Sequence, residues 1–256
     1  MENMLLVGLS RQVALERQLG VVANNIANVT TTGYRSDTAI FEEYLSSNAR
    51  DDDFNGKDTR LSFVVDRATI HDFSQGPVER TGNPTDVALS GTNAFFVVQV
   101  NGADRYTRNG NFQINNQGQL VTSEGNQVIG TNGPIVFQPG DQDISIARDG
   151  TITVREGNNT NVDSRRGKLQ IVSFDQPQTL QKQGANLFAA PNGANANPAI
   201  NAAVHQGSIE KSNVNGVSEM AKMIEVMRSY TSIANVIQQV NDIRKQSIER
   251  LADVPA

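Results

Sequence analysis

The sequence predicts an α+β chain in which a central antiparallel, mostly-β domain is flanked by long N- and C-terminal α-helices that pair as a coiled-coil-like assembly domain. Three observations carry this expectation. Apolar residues recur at helical spacing near both ends of the chain. Between them, short Val-, Ile-, Phe- and Thr-rich runs alternate with Asn-Gly and Asp-Gly dipeptides, the signature of successive hairpins. Aromatic residues make up only 5% and tryptophan is absent, which suits exposed sheets better than a deep apolar pocket.

Residues 1–35 are expected to form the N-terminal assembly helix. Leu5, Leu9, Leu15, Leu19, Val22, Ile26 and Val29 fall mostly three and four apart, so a helix collects them on one narrow stripe. From Leu15 onward the spacing approaches the seven-residue repeat of a helix packed on another helix. The β-branched run Thr30, Thr31, Thr32 and then Gly33, a residue at ease with positive φ, should end it near Asn28.

Residues 36–61 read as a linker, because Ser46 to Arg60 is charged, almost free of aliphatic side chains and contains an Asn-Gly turn. Residues 62–208 then read as the β-rich domain, with Asn101-Gly102, Asn109-Gly110, Asn132-Gly133 and Asp149-Gly150 as its turn dipeptides. Ala189 to Ala203, small, polar and broken by Pro and Gly, is expected to be a surface connection. Residues 209–256 are expected to form the C-terminal assembly helix. Met220, Met223, Ile224, Met227, Tyr230, Ile233, Ile237, Val240, Ile243, Ile248 and Leu251 keep helical spacing with no Gly or Pro from Val217 until Pro255. At about 1.5 Å per residue such a helix is roughly 50 Å long.

Composition and motifs argue against catalysis. The absence of cysteine removes disulfides, thiolate nucleophiles and Cys-based zinc sites. His71 and His205 have no acidic or nucleophilic pattern beside them, and no G-x-S-x-G or phosphate-loop motif occurs. Asp51, Asp53, Asn55 and Gly56 follow the order of a calcium loop, but Ser62 stands where its bidentate Glu belongs, so a solvated acidic segment is the expected reading. Asn28-Val29-Thr30 and Asn158-Asn159-Thr160 match a short glycosylation pattern that chance supplies often. No catalytic, metal or cofactor site is expected. A net charge of −5 without a Lys/Arg run excludes the footprint of a nucleic-acid binder. The opening MENMLLVGLSRQ lacks a basic leader and a cleavage site, and no run approaches the roughly 20 apolar residues of a membrane span, so neither a Sec-type signal nor membrane insertion is expected.

Four segments give the chain a specific likeness. They are NNIANVTTTGYR (24–35), TGNPTDVALSGTNAFFVV (81–98), YTRNGNFQINNQGQLVTSEGNQVIG (106–130) and SNVNGVSEMAKMIEVMRSY (212–230). In this order they resemble the axial proteins of the bacterial flagellar basal body, the rod and hook group, over nearly the whole length. Within the group the opening helix and modest length are most similar to the proximal-rod branch, while the distal-rod branch shares all four segments. The resemblance implies a structural subunit exported through the flagellar type III apparatus without cleavage. It implies assembly in the periplasm with itself and other rod proteins as a helical tube. The alternative of another class is a soluble β-domain binding module or adhesin with an ordinary coiled coil, which a closed oligomer would distinguish from an open polymer.

The residues expected to act are therefore interfacial. Leu15, Leu19, Val22 and Ile26 are expected to pack against Met223, Ile224, Met227, Ile233 and Ile237, joined by Met220 and Tyr230. Asn24, Asn25 and Asn28, where the first helix ends, and Ser212, Asn213, Val214 and Asn215, before the second begins, complete the set. Asn24, Asn25 and Asn28 are expected to satisfy exposed backbone or a neighbouring subunit where the helix ends, with local capping equally open.

Overall fold

The computed structural model describes residues 2–46, 61–91, 93–156, 163–191 and 194–252. The chain is mixed α+β: two long helices, one at each end of the sequence, and a mostly antiparallel set of strands between them. It divides into two compact units.

The first unit contains helix α1 (Glu2–Ala27), helix α2 (Gly216–Ala252) and an antiparallel ribbon whose strands are β1 (Asp37–Ser46) and β2 (Leu61–His71, assigned to this unit as far as Ile70). Three contacts set the direction of the helices. A methyl group on Gly8 would lie 3.2 Å from Ile237 Cγ1, Gln12 Nε2 donates to Tyr230 Oη at 2.9 Å, and Asn25 Nδ2 donates to Glu219 Oε2 at 3.1 Å. Partner numbers fall as α1 numbers rise, so the helices run antiparallel. With 37 residues against 26, α2 outruns α1, and Ile243 and Ile248 on its far end stay exposed. Asn215 caps α2: its Oδ1 accepts from Ser218 N–H at 3.2 Å, satisfying one of the donors a helix N-terminus leaves open.

The linker expectation changes here. Asp37–Ser46, placed in the linker by the charged run that follows, is strand β1. The residues TAIFEEYL carry β-branched and aromatic groups that favour a strand, a signal that the neighbouring charge obscured. Residues 47–60, including the calcium-like Asp51, Asp53 and Asn55, lie outside the described residues, as does the 158–160 sequon. The strand Leu61–His71, expected in the β-rich domain, also clusters mainly with the helices.

The second unit comprises Asn28–Ser36 and His71–Val214. Its strands begin with β3 (Val78–Arg80), β4 (Val87–Ser90), β5 (Ala94–Val100) and β6 (Ala103–Thr107). The organising element is β5, AFFVVQV, a nearly continuous apolar run, as a strand buried on both faces requires. Phe95 and Val97 enter one cluster with Phe73, Phe174 and Phe188. Phe96 and Val98 enter the other with Val87, Phe112 and Ile152. Asn101-Gly102 joins β5 to β6 with positive φ at both residues, as a two-residue hairpin needs. Asp149-Gly150 likewise turns one strand of a three-stranded sheet (Asp141–Ile146, Thr151–Glu156, Asp163–Lys168) into the next. Asn109-Gly110 is not a hairpin turn. Gly110 O accepts from Val87 N–H at 2.9 Å, and a Cβ on Gly110 would collide with Val87 O, so this glycine serves a close backbone approach. The Ala189–Ala203 stretch is mostly irregular among its described residues: its ends close ladders at Ala189 and Ala203, and between them Asn197 and Pro198 pair briefly with Ser173 and Val172.

Candidate assembly surface and its internal fasteners

The residues singled out in the sequence separate into two groups. On the helices, the side chains covered within the chain repeat in steps of four and three. On α2 these are Glu219, Met223, Val226, Tyr230, Ile233 and Ile237, and on α1 they include Leu15, Leu19, Val22 and Ile26. Val226, buried at 5%, was missed because its neighbour Met227 fits a helical stripe equally well by spacing alone. Met220, Ile224 and Met227 are not covered in this way: with Val217, which is 81% exposed, they form a second apolar stripe facing outward, Ile224 being 54% exposed. Helix α1 shows the same division, with Leu6, Leu9 and Val13 outward. Single apolar residues on a surface are ordinary, but here they form rows along two helices.

The asparagines act inside the chain. Asn25 is 1% exposed. Its Oδ1 accepts from Asp37 N–H at 2.9 Å and its Nδ2 donates to Asp37 O at 2.8 Å, so one side chain reproduces a ladder pair with the first residue of β1. The same amide reaches Glu219, whose other oxygen takes Lys222 Nζ at 2.6 Å. Asn28 closes a local turn, its O and Oδ1 accepting from Thr31 N–H and Oγ1, both at 3.2 Å. Asn24 is exposed. In the second unit Asn213 Oδ1 accepts from Ser36 N–H at 2.8 Å while its Nδ2 donates to Asp72 O at 2.8 Å. Ser212 Oγ accepts from Val214 N–H at 3.2 Å, and both residues are buried. Asn215 is the α2 cap already described.

One cluster gave no warning in the sequence. Arg35, Arg108 and Glu210 have fully buried side chains. Glu210 Oε1 accepts from Arg35 Nη2 at 2.6 Å and from Gly76 N–H at 2.9 Å, and its Oε2 lies 3.0 Å from Arg108 Nε. Its backbone carbonyl takes Gly33 N–H at 2.8 Å. Arg108 Nη1 donates to the carbonyls of Gly91 at 2.7 Å and Ala94 at 2.6 Å. One residue thus ties four separated stretches of the second unit, including 28–36, which follow α1. Burial pushes the Arg108 guanidinium down to about 10, and the nearby Glu210 only partly offsets it. Gly33 has φ +69°, and a Cβ there would run into the Arg108–Asn109 backbone, so only glycine lets the strap lie this close. Lys182 Nζ sits 3.9 Å over the Tyr34 ring, and Asn186 Nδ2 donates to Thr32 O at 3.0 Å, completing the strap's attachment.

His71 packs against an aromatic ring, and His205 is exposed on its strand. His71 meets Phe188 edge-on with ring centroids 5.7 Å apart, and His205 pairs with Ala88 in the ladder between Ala203–Gln206 and β4. Among the described residues no group of three or more His, Cys, Asp and Glu side chains is placed to hold a metal ion, and no helix is long and apolar enough to cross a membrane.

Comparison with known proteins gives three family matches along the chain. Residues 5–35 match the family described as flagella basal body rod protein. Residues 88–154 match the flagellar hook protein FlgE/F/G D1 domain, and residues 205–250 the flagellar basal body rod FlgEFG protein C-terminal family. Flagellar basal-body rod protein FlgF of Caulobacter vibrioides is 36% identical over 255 residues, 99% of this chain and 100% of the relative. FlgF of Mesorhizobium japonicum is 29% identical over 98% of both chains, and FlgG of Bacillus subtilis 30% identical over 94% of this chain and 96% of its own. Both terminal helices and the β-rich unit thus have counterparts in one full-length relative, and the chain belongs to the flagellar basal-body rod protein family.

Proposed function

We propose that the chain is a structural subunit of the flagellar basal-body rod, of the FlgF kind that builds the proximal rod, and that it polymerises through its terminal helices into a torque-transmitting shaft. Supporting this reading is the end-to-end likeness to FlgF of Caulobacter vibrioides, helices included. A second support is physical. The rows Leu6, Leu9, Val13 and Val217, Met220, Ile224, Met227 are exposed among the described residues, and neighbouring copies or other rod proteins would cover them. Each such side chain contributes roughly 1.5–3 kcal/mol when fully buried, so a repeated contact of this kind is ample for assembly. On this reading the covered stripes of α1 and α2 pair as a coiled coil, and the chain passes through the flagellar export apparatus uncleaved to the periplasm.

Replacing Ile224 by Asp tests the surface, because that side chain already faces solvent and its loss leaves the core alone. The variant should accumulate folded, with an unchanged β signal in circular dichroism, while motility and its recovery in purified basal bodies are lost. Normal swimming would remove the outward stripe from the assembly surface. The FlgG relatives make a distal-rod role the second reading. Electron microscopy of a deletion strain separates the two: a rod missing beyond its base supports the proximal role, a rod missing only its outer part the distal one.

A further inference from the structure

Two features of the described residues are uncovered and opposite in chemistry. In the second unit a groove of about 660 Å³ has an apolar floor of Leu169, Ile171, Pro198 and Ala199 and a rim bearing Arg148 and Lys168. Ile200 stands at its lip with 91% of its surface exposed, the most exposed of the large apolar side chains among the described residues. Lys168 is shared with an adjoining cavity lined by Arg165 and Arg166. Some of this charge is answered locally: Asp149 lies 3.3 Å from Lys168, and Arg166 is held by Asp141 and Glu156. Arg148 and Arg165 make no ion pair among the described residues.

The ribbon of the first unit is the counterpart. Asp37, Glu42, Glu43 and Asp66 outweigh its single basic residue, Arg67. Strand alternation puts Ile40, Glu42 and Tyr44 on one face of β1, and all three are exposed, Tyr44 at 61%. A two-stranded ribbon is marginal alone in water, so an exposed apolar and acidic face calls for cover. Glu42 has a local partner, Arg67 Nη1 at 3.4 Å, but both side chains are more than half exposed and such a pair exchanges readily.

We propose that the groove receives the β1 face of a second copy of this chain, with Tyr44 and Ile40 on the apolar floor beside Ile200 and Glu42 against Arg148. The contact is heterologous, ribbon to groove, and therefore propagates from copy to copy instead of closing a dimer. It rests on the reading that copies assemble, and adds a lateral contact between ribbon and β-rich unit to the one made by the helices. Opposite charge selects the register, and the floor supplies the burial.

Because the chain has no cysteine, the contact can be read by cross-linking without background. Full-length chains carrying Tyr44→Cys and, separately, Ile200→Cys are given different tags, mixed at high concentration, oxidised and run without reductant. A band containing both tags is expected. Adding Arg148→Glu to the Ile200→Cys chain should lower its yield about fivefold, and adding Glu42→Arg to the partner should restore it. Absence of the mixed band, or a yield indifferent to the charge reversal, overturns the proposal. Recovery of the tagged wild-type chain in basal bodies is scored separately, so failure of the ribbon contact is distinguishable from failure of the rod assignment.

Discussion

At the scale of single residues, Glu210 is the most consequential side chain in the second unit. It is buried between two guanidinium groups, so its removal leaves positive charge in a site that water does not reach. Replacing it with Ala should therefore cost roughly 3–5 kcal/mol, the usual penalty for breaking a buried ion pair from one side, measured as a lower urea midpoint. A loss below about 1 kcal/mol would show that Arg35 and Arg108 find other compensation. Asn25 teaches a related lesson. Its position in the sequence, near the end of a helix, was compatible with capping, with exposed backbone or with a neighbouring subunit, and within the chain it does not cap its own helix. It pairs instead with the backbone of Asp37 and with Glu219, 194 positions away in the sequence. No pattern in a linear sequence signals a partner chosen by the path of the returning chain.

Elements were legible to the degree that their periodicity was strong. Both helices, the doubly buried strand β5 and the Asn101-Gly102 and Asp149-Gly150 turns follow from spacing and turn chemistry. Strand β1 was hidden by the charge beside it, and Gly110 was taken for a turn because a glycine admitting a backbone and a glycine turning one look alike. The Asp149 turn also fixes a pH dependence. The Thr151 hydroxyl at 2.8 Å and N–H at 3.1 Å, with Lys168 at 3.3 Å, hold its carboxyl down to about 2. A folded-state value below the unfolded one, about 3.9, means the contribution is complete above that value and disappears as pH falls through about 2. Asp149→Asn should thus lower Tm at neutral pH by an amount that shrinks below pH about 4 and vanishes near pH about 2. A difference independent of pH would assign the effect to altered turn geometry instead.

For the whole molecule, the governing fact is apolar surface left exposed among the described residues of the helices. Helix α2 continues beyond the end of α1, leaving Ile243 and Ile248 exposed. A helical segment without tertiary cover gains little from propensity alone, so its stability comes from neighbours. Hydrogen exchange should find the amides of 243–252 weakly protected in the dilute chain and at least about tenfold slower in purified basal bodies. Equal protection in both would mean that assembly adds nothing to this end of α2.

The sequence by itself determined the α+β class, the two amphipathic ends, the hairpin-rich centre and, through four ordered segments, the rod family, because all of these are local patterns of period or composition. Only the tertiary structure decided which apolar stripe is covered and which faces outward, since Val226 and Met227 are both compatible with a helical stripe and only the position of α1 separates them. It alone decided that Arg35, Arg108 and Glu210, scattered along the sequence, share one buried site. The physical reason is the same in both cases: burial and charge pairing depend on distance in space, and spacing along the chain records that distance only within an element.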